Sequence, residues 1–237
     1  MPPTQDTPEA RPPVAARVLV IAGPSGSGKS RLARRLHAAH GWPLLQLDDF
    51  YHEVGDPGLP MSPLGLVDWD DVRSWNLLAA VEAMEQLCRA GRADVPVYDI
   101  STSSITGHRV VERGDQPLVV AEGIFAAHTI AELGRRGLLA EAWCVRNGPW
   151  TTFFRRLVRD LAERRKPPLT LWRRGHVLRR AEPGIVATQE ALGAMPVTAK
   201  EAERRLDGLL TGTGPAADPV RPDRSPDRAR RSEGAGG

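Results

Sequence analysis

The sequence predicts an α/β fold in which helices flank a parallel β-sheet. The first observation is a short apolar run at 18–22, rich in β-branched residues, as buried parallel strands are. The second is a glycine-rich loop that follows this run and leads into a helical pattern at 31–40. The third is the alternation of strand and helix patterns, which is typical of a parallel sheet covered by helices. A length of 237 residues with 41% hydrophobic content fits one globular domain.

The glycine-rich loop fits the phosphate-binding pattern G-x-x-x-x-G-K-[ST], with the residues Gly23, Pro24, Ser25, Gly26, Ser27, Gly28, Lys29 and Ser30. The strand before it and the helix after it, ended by Gly41, are the surroundings that such a loop needs. Its backbone N–H groups would surround the phosphates of ATP, which predicts a P-loop NTPase-type sheet. Lys29 would reach the β and γ phosphates, and the Ser30 hydroxyl would hold Mg²⁺. The alternative is a glycine-rich turn that happens to contain a lysine.

The other strands are predicted in chain order. Strand one lies at about 17–22, strand two at 43–47, strand three at 118–122 and a short strand four at 142–145. The runs 95–100 and 108–111 are predicted to pair as a hairpin around a turn rich in Ser, Thr and Gly. A fifth core strand is not clear, and Pro196-Val197 is its nearest candidate.

Three further helices are predicted. The first lies at about 74–90, with one apolar side formed by Leu77, Leu78, Val81, Met84, Leu87 and Cys88. A long basic helix at about 150–165 is stopped by Pro167-Pro168. The last, at about 199–210, begins with a capping box from Thr198 to Glu201.

The ends of the chain differ in composition from its middle. Residues 1–16 are rich in Pro and Ala and residues 212–237 in Gly, Pro, Asp, Arg and Ser, so both are predicted to be disordered around one domain at 17–211. No apolar run approaches the ~20 residues of a membrane span, and no signal-peptide pattern opens the chain. Cys88 and Cys144 lack metal-ligand spacing and are predicted to be buried free thiols. These features favour a cytoplasmic protein.

Positive charge is concentrated in one segment. Residues 155–180 hold ten Lys or Arg and two acidic residues, a local charge of +8 against +3 for the whole chain, so the remainder carries −5. One compact basic block suits a small polyanion better than a long duplex, so neither a nucleic-acid nor a membrane partner is predicted, although RNA contact stays open. The alternative is a solvated helix face.

Carboxylates follow two of the predicted strands at the end where ligands bind. In open α/β sheets the site lies outside the carboxyl ends of the strands. Asp48-Asp49 follow strand two and Glu122 ends strand three, so both are expected beside the glycine loop. One aspartate could accept a proton from an attacking hydroxyl or hold the metal, and Glu122 could pair with Mg²⁺. The alternatives are an Asp pair that caps a turn and a salt bridge between Glu122 and Lys29.

The basic helix carries candidate phosphate ligands. Arg156 and Arg159 share one of its faces, and Arg164 follows near its end. Arginines that close over a transferred phosphoryl group stabilise the charge that develops on it. A basic helical lid at about 150–180 is therefore predicted.

Together, the motifs resemble the uridine kinase (uridine/cytidine kinase) family of phosphate-loop kinases. The resemblance covers most of 17–166 and includes the loop, Asp48-Asp49-Phe50-Tyr51, Val67-Asp68-Trp69-Asp70-Asp71, Pro96-Val97-Tyr98-Asp99, Glu122-Gly123-Ile124 and the run from Arg155 to Arg164. It implies a hairpin over the acceptor site and transfer of phosphate from Mg·ATP to a small-molecule substrate. That substrate would be a nucleoside, phosphorylated on its 5′-hydroxyl, most simply uridine or cytidine.

The resemblance also implies roles for individual residues. Asp48 corresponds to the catalytic base near the metal, and Ser30 and Glu122 correspond to magnesium positions. Arg156 and Arg159 correspond to lid arginines that face the phosphates. The residues of the acceptor pocket would be Tyr51, Asp68, Tyr98, Ser103 and Lys166. Among these, Asp68 corresponds to the carboxylate that binds the ribose hydroxyls, and Lys166 stands where a further lid arginine is usual.

Two departures from the family pattern leave the acceptor open. Ser103 stands where the family usually has a histidine that reads the pyrimidine, and 167–175 does not match the usual lid. A kinase for a sugar, sugar phosphate or vitamin therefore remains an alternative, as does a nucleotide-binding regulatory protein without turnover. A signalling GTPase is not expected, because no Asn-Lys-x-Asp guanine-reading sequence occurs. The sequence leaves open whether the chain forms a homo-oligomer.

Overall fold

The computed structural model describes residues 14–146 and 183–210 of the chain. The predicted lid at about 150–180 lies outside these residues, as do the tail from 212 onward and most of the N-terminal segment. The described part begins slightly before the predicted domain. The backbone N–H groups of Ala15 and Ala16 donate to the carbonyl of Cys88 at 3.0 and 3.2 Å, so these two residues pack against the domain.

Five parallel strands form the main sheet. In chain order they are β1 (Arg17–Ala22), β2 (Leu44–Gln46), β5 (Leu118–Glu122), β6 (Leu139–Val145) and β7 (Met195–Val197). Their order across the sheet is β2-β5-β1-β6-β7. The α/β prediction is confirmed, and Pro196-Val197 belongs to the fifth strand. Strand β6 begins before the predicted 142, since Glu141 interrupts the apolar pattern while the backbone pairing with β1 continues.

Helices cover both faces of this sheet. On one face lie α1 (Lys29–His40) and α5 (Ala199–Leu210), and on the other lie α2 (Leu77–Ala90), α3 (Ile130–Arg135) and the helical residues 183–191, here α4. The apolar side predicted for α2 is correct except for Leu78, which is 63% exposed. Residue 78 lies about 100° around the helix from Leu77, so it turns away while Val81 and Met84 enter the core.

Local capping explains where several helices begin and end. The side chain of Asn76 accepts the N–H of Ala79 at the start of α2. Helix α5 begins with the predicted capping box: Glu201 accepts the N–H of Thr198 at 2.7 Å, and the Thr198 hydroxyl accepts the N–H of Glu201 at 3.3 Å. Gly41 ends α1 with a φ of 70°, and its N–H donates to the carbonyl of His37.

A separate two-stranded antiparallel sheet forms the predicted hairpin. Its strands are β3 (Arg92–Asp99) and β4 (Ser104–Glu112), both longer than the sequence pattern indicated. Residues Ala93, Val95 and Val111 anchor the base of the hairpin in the core below α2. The register shifts between Val97 and Tyr98, near the turn.

The two cysteines are buried free thiols, as predicted. Burial raises the pKa of Cys88 to about 12 and that of Cys144 to about 11. Among the described residues, no helix combines the length and apolar character needed to cross a bilayer.

We expect both thiols to resist alkylation in the folded protein. Iodoacetamide at pH 8 should modify them more than ~100-fold more slowly than in urea, because the reactive thiolate is scarce and shielded. Since folding raises both pKa values, the thiols favour the folded state below pH ~9, and the free energy of unfolding should fall as the pH rises towards 11. Mass spectrometry and denaturant titrations measure both effects. Equal alkylation rates with and without urea would contradict the assignment of the thiols to the core.

Candidate active site

The glycine loop lies between β1 and α1 at the carboxyl edge of the sheet. Gly28 precedes α1 with a φ of 97°, a left-handed conformation that favours glycine. At Gly23 a Cβ atom would meet the carbonyl oxygen of Val145 at 2.6 Å, so the loop folds tightly against β6. The first turn of α1 contains no acidic residue, and no side chain caps its N-terminus. Its free N–H groups and positive dipole end can therefore receive an anion.

Ser30 and Glu122 meet beside this loop although 92 residues separate them. The Ser30 hydroxyl donates to Oε2 of Glu122 at 3.0 Å. Parallel pairing of β1 with β5 sets Ile21 opposite Glu122, which brings the end of β5 to the start of the loop. Glu122 is only 5% exposed, and its burial raises the pKa of the carboxyl group.

Among the cations that act on this buried carboxylate, Lys29 has the largest effect. Its side chain is 7% exposed, and its charge lowers the pKa of Glu122 against the larger effect of burial. The charge of Asp48 acts in the opposite direction and raises that pKa. The three residues therefore lie within electrostatic reach of one another, as expected for ends of neighbouring parallel strands.

Asp48 is held in a 3₁₀ turn, Leu47–Phe50, directly after β2. The indole Nε1 of Trp75 donates to the carbonyl of Leu47 at 2.6 Å and fixes this turn against the start of α2. Asp48 faces the segment after β5. A Cβ atom on Gly123 would meet Oδ1 of Asp48 at 3.2 Å and Cβ of Leu47 at 2.9 Å. Glycine is thus favoured at 123 by the close approach of Leu47 and, less tightly, of Asp48, rather than by its backbone angle.

We expect Gly123→Ala to displace Asp48 and to impair the site. The added methyl group has no space beside Leu47, so the free energy of unfolding should fall by about 1–3 kcal/mol. Thermal denaturation measures this loss. Gly134→Ala is the matched control, since no atom lies within 4 Å of its added Cβ and it lies within helix α3, where alanine is favoured. Equal stability of the two variants would contradict the packing described for Gly123.

The residues around Ser30 suit a divalent cation that is also bound by phosphate. Hydroxyl and carboxylate oxygens are the ligands that Mg²⁺ prefers, and it retains several waters in most protein sites. Among the described residues, no group of three or more His, Cys, Asp or Glu side chains is arranged to hold a metal alone. Ser30, Glu122 and Asp48 could therefore hold Mg²⁺ together with nucleotide phosphates and water.

Asp49 faces away from this centre, although it adjoins Asp48. Its Oδ1 accepts the backbone N–H of Tyr98 at 3.4 Å, and its Oδ2 accepts from Nη2 of Arg109 at 3.4 Å. Asp49 therefore holds the hairpin, whereas Asp48 faces Gly123 and Glu122. This difference in surroundings makes Asp48 the better candidate for a base, which the sequence pair could not decide.

Aromatic rings form a wall beside Asp48. Tyr51 lies 5.8 Å from Tyr98, 5.9 Å from Trp69 and 6.0 Å from Phe125, measured between ring centroids. Burial raises the pKa of Tyr51, and the charges of Asp48 and Asp70 raise it further, so this phenol stays protonated. The sequence reasoning identified Tyr51 and Tyr98 but not Phe125 or Trp69. Phe125 could have been predicted from its position, because it follows Glu122 at the end of β5 by only three residues.

The carboxylates at 68 and 70 differ in their surroundings. Asp68 accepts the N–H of Asp70 at 3.1 Å, a bond within its own turn. Asp70 is exposed, and its charge reaches Tyr51 in the aromatic wall. Asp70 is therefore a further candidate to meet a ligand beside Tyr51, in addition to the predicted Asp68.

Ser103 lies near Tyr98, and its hydroxyl lowers the pKa of the Tyr98 phenol against the larger effect of burial. It has a φ of 51°, the only positive φ among the described residues other than glycine. The structure therefore brings together Lys29, Ser30, Asp48 and Glu122, with Tyr51, Tyr98 and Ser103 on the adjoining side. The predicted site residues Arg156, Arg159, Arg164 and Lys166 lie outside the described residues.

A cavity of about 310 Å³ lies elsewhere, between α2 and the hairpin. Its wall includes Phe50 and Ala83, with Glu82, Asp94 and His108 at the rim. None of the residues predicted to bind nucleotide, metal or acceptor lines it. The candidate site is accordingly identified by its charged groups and the glycine loop.

Comparison with known proteins supports the fold. A family model described as an AAA domain matches residues 18–97, about a third of the chain. No curated protein sequence matches significantly. A solved structure assigned as a fructose transport system kinase from a Silicibacter species is similar, with a TM-score of 0.50 and 16% identity. The alignment covers 80% of this chain and 92% of that one, a likeness that establishes a shared fold.

Two further solved structures align less closely. One, assigned as a uridine kinase from Bacillus stearothermophilus, has a TM-score of 0.46 and 19% identity over 77% of this chain and 88% of that one. The other, D-glycerate 3-kinase from Cryptococcus neoformans, has a TM-score of 0.47 and 14% identity over 83% and 90%. The strand order and the family-model match give the chain an α/β fold of the P-loop NTPase type, with five parallel strands, flanking helices and a β-hairpin.

Proposed function

We propose that the chain is a kinase that transfers the γ-phosphoryl group of ATP to a hydroxyl group of a small molecule. The observation that carries this proposal is the meeting of Lys29, Ser30, Asp48 and Glu122 beside the glycine loop. A helix N-terminus and a buried lysine suit the phosphates, and the Ser30–Glu122 pair suits their Mg²⁺. Asp48 then remains available for the acceptor hydroxyl.

In this proposal, the oxygen of the acceptor hydroxyl forms a bond to the γ-phosphorus, and Asp48 accepts the proton that this hydroxyl loses. The bond from the γ-phosphorus to the bridging oxygen breaks, and ADP leaves. Lys29 stabilises the negative charge on the β and γ phosphates. Bound Mg²⁺ would neutralise further charge on these phosphates. We propose that Arg156, Arg159 and Arg164 also act on the phosphates.

The preferred acceptor, in our proposal, is the 5′-hydroxyl of a nucleoside such as uridine or cytidine. The aromatic wall of Tyr51, Tyr98 and Phe125 favours an acceptor that carries a flat ring, because every base can stack on an aromatic face. Carboxylates at Asp68 and Asp70 can accept hydrogen bonds from ribose hydroxyls. Ser103 and Lys166 would complete the pocket.

A kinase for a sugar, sugar phosphate or vitamin is the second candidate. The observation that favours it is Ser103, whose hydroxyl is engaged with Tyr98 at the place where a base-reading histidine is usual. A pocket lined by hydroxyl and carboxylate groups suits a polyol as well as a ribose.

The test is to identify the product. The full-length protein is incubated with Mg·ATP and an equimolar mixture of nucleosides, and the products are identified by mass. ADP release is then measured with each nucleoside and with a panel of sugars, sugar phosphates, glycerate and pantothenate. We expect a nucleoside 5′-monophosphate. If only a sugar, sugar phosphate or vitamin is phosphorylated, the second candidate function replaces the nucleoside kinase. If ATP binds but no acceptor stimulates ADP release, the kinase assignment is contradicted.

A further inference from the structure

The outer half of the β3–β4 hairpin has no place in the hydrophobic core. Its base is anchored by Ala93, Val95 and Val111, but no residue from 96 to 110 is buried. The hairpin also forms a sheet of its own and shares no ladder with the main sheet. Contacts outside the hydrophobic core, which are polar apart from the ring contact between Tyr51 and Tyr98, must therefore determine where this outer half lies over the site.

Those contacts all lead to the short segment 49–54. The phenol of Tyr98 donates to the carbonyl of His52 at 3.1 Å, and the N–H of Ile105 donates to Oε1 of Glu53 at 3.0 Å. The N–H of Val54 donates to the carbonyl of Ser103 at 2.8 Å. Asp49 adds two more bonds, one to each strand of the hairpin, through the Tyr98 N–H and the Arg109 guanidinium.

The contacts of Asp49 differ from the other contacts because this side chain is both charged and largely shielded from solvent. Its side chain is 17% exposed, and that of Arg109 is 40% exposed. A shielded charge pair is screened less by salt than an exposed one, and loss of one partner leaves the other charge without compensation. Asp49 also binds where the hairpin register shifts, which redirects the backbone at Tyr98.

We infer that Asp49 is a positioning residue. Its bonds to the Tyr98 N–H and to Arg109, together called the clasp, hold the hairpin on the turn that carries Asp48 and so place Tyr98 in the acceptor pocket. The inference rests on the proposed function for the meaning of that pocket. Asp48 and Asp49 belong to one 3₁₀ turn, Leu47–Phe50, so the clasp joins the aromatic wall to the proposed base through adjacent residues. The nucleotide side, with Lys29 and Ser30, lies on α1 and has no part in it.

The clasp predicts a selective change in acceptor binding. In Asp49→Asn and in Arg109→Gln, the Michaelis constant for uridine should rise about tenfold, while that for ATP stays within about twofold. The double variant Asp49→Asn/Arg109→Gln should be no worse than Asp49→Asn alone, because both substitutions remove the Asp49–Arg109 ion pair. His108→Gln is the matched control, since His108 is exposed on the same strand and neighbours Arg109. Unlike the variants at Asp49 and Arg109, His108→Gln should leave the Michaelis constants for uridine and ATP unchanged.

Hydrogen exchange of the full-length protein tests the clasp without relying on activity. Peptides from 92–112 should exchange faster in both single variants than in the wild type, whereas peptides from β1 and β5 should not change. Unchanged exchange at 92–112 in both variants overturns the clasp. A fall in kcat with an unchanged Michaelis constant for uridine in Asp49→Asn also overturns the positioning role, because it would place Asp49 in the chemical step.

The same measurements separate this inference from the proposed function. If no acceptor stimulates ADP release by the wild type, the proposed function fails, while the exchange experiment still decides whether the clasp exists. If Asp49→Asn does not fold, Arg109→Gln tests the same pair from its more exposed partner.

Discussion

Lys29→Ala should reduce ATP turnover on the order of 10³-fold, the largest effect we expect from a single substitution. The lysine is buried at the start of α1, where its charge acts on Glu122 in the same pocket as the Ser30 hydroxyl. Alanine removes the cation from the β and γ phosphates. The charge of Arg34 also acts on Glu122, but its effect is smaller than that of Lys29. Steady-state ADP release with saturating Mg·ATP and acceptor measures the loss.

A matched control uses another cation on the same helix. Arg35 lies on α1 but pairs with Glu203 at the surface, with 57% of its side chain exposed. Arg35→Ala should therefore retain turnover within about twofold, since an exposed ion pair contributes little. Near-normal turnover in Lys29→Ala, or equal losses in both variants, would contradict the assignment of the loop.

Asp48→Asn should lower kcat by about 10²- to 10⁴-fold, the usual contribution of a general base, while ATP still binds. An amide cannot accept the proton of the acceptor hydroxyl, although it keeps the size of the carboxylate. The charge of Asp48 raises the pKa of nearby Glu122, so its removal relieves repulsion, and the variant should fold at least as stably as the wild type. Single-turnover kinetics, ATP titration calorimetry and thermal denaturation measure the three quantities.

The neighbouring aspartate provides the contrast for this prediction. Asp48→Asn should act on kcat, whereas Asp49→Asn should act on the Michaelis constant for the acceptor, because Asp49 is bonded to the hairpin. If Asp49→Asn loses kcat and Asp48→Asn does not, the two roles are reversed. Loss of ATP binding in Asp48→Asn would show that this carboxylate acts through the nucleotide or its metal instead.

Elements with a strong local pattern were predictable from the sequence. Strand β1 matches its predicted bounds, and the capping box of α5 forms as the residues from Thr198 to Glu201 predict. Helix α3 was missed, since six residues that include Gly134 carry too little periodicity. Strand β7 is only three residues long and is defined by its pairing with β6, so the sequence offered it only as a candidate.

The candidate site, like the fold, was predictable from the sequence only in part. The sequence by itself determined which chemical groups are present and at which strand ends they stand, because the glycine loop, Asp48-Asp49 and Glu122 are tied to a short-range pattern of strand, loop and helix. Only the tertiary structure decided which way each side chain faces. Asp48 and Asp49 are identical in type and adjacent in one turn, yet one faces Gly123 and the other the hairpin. That choice depends on contacts with residues 49 to 75 positions away in the chain, which local pattern does not encode.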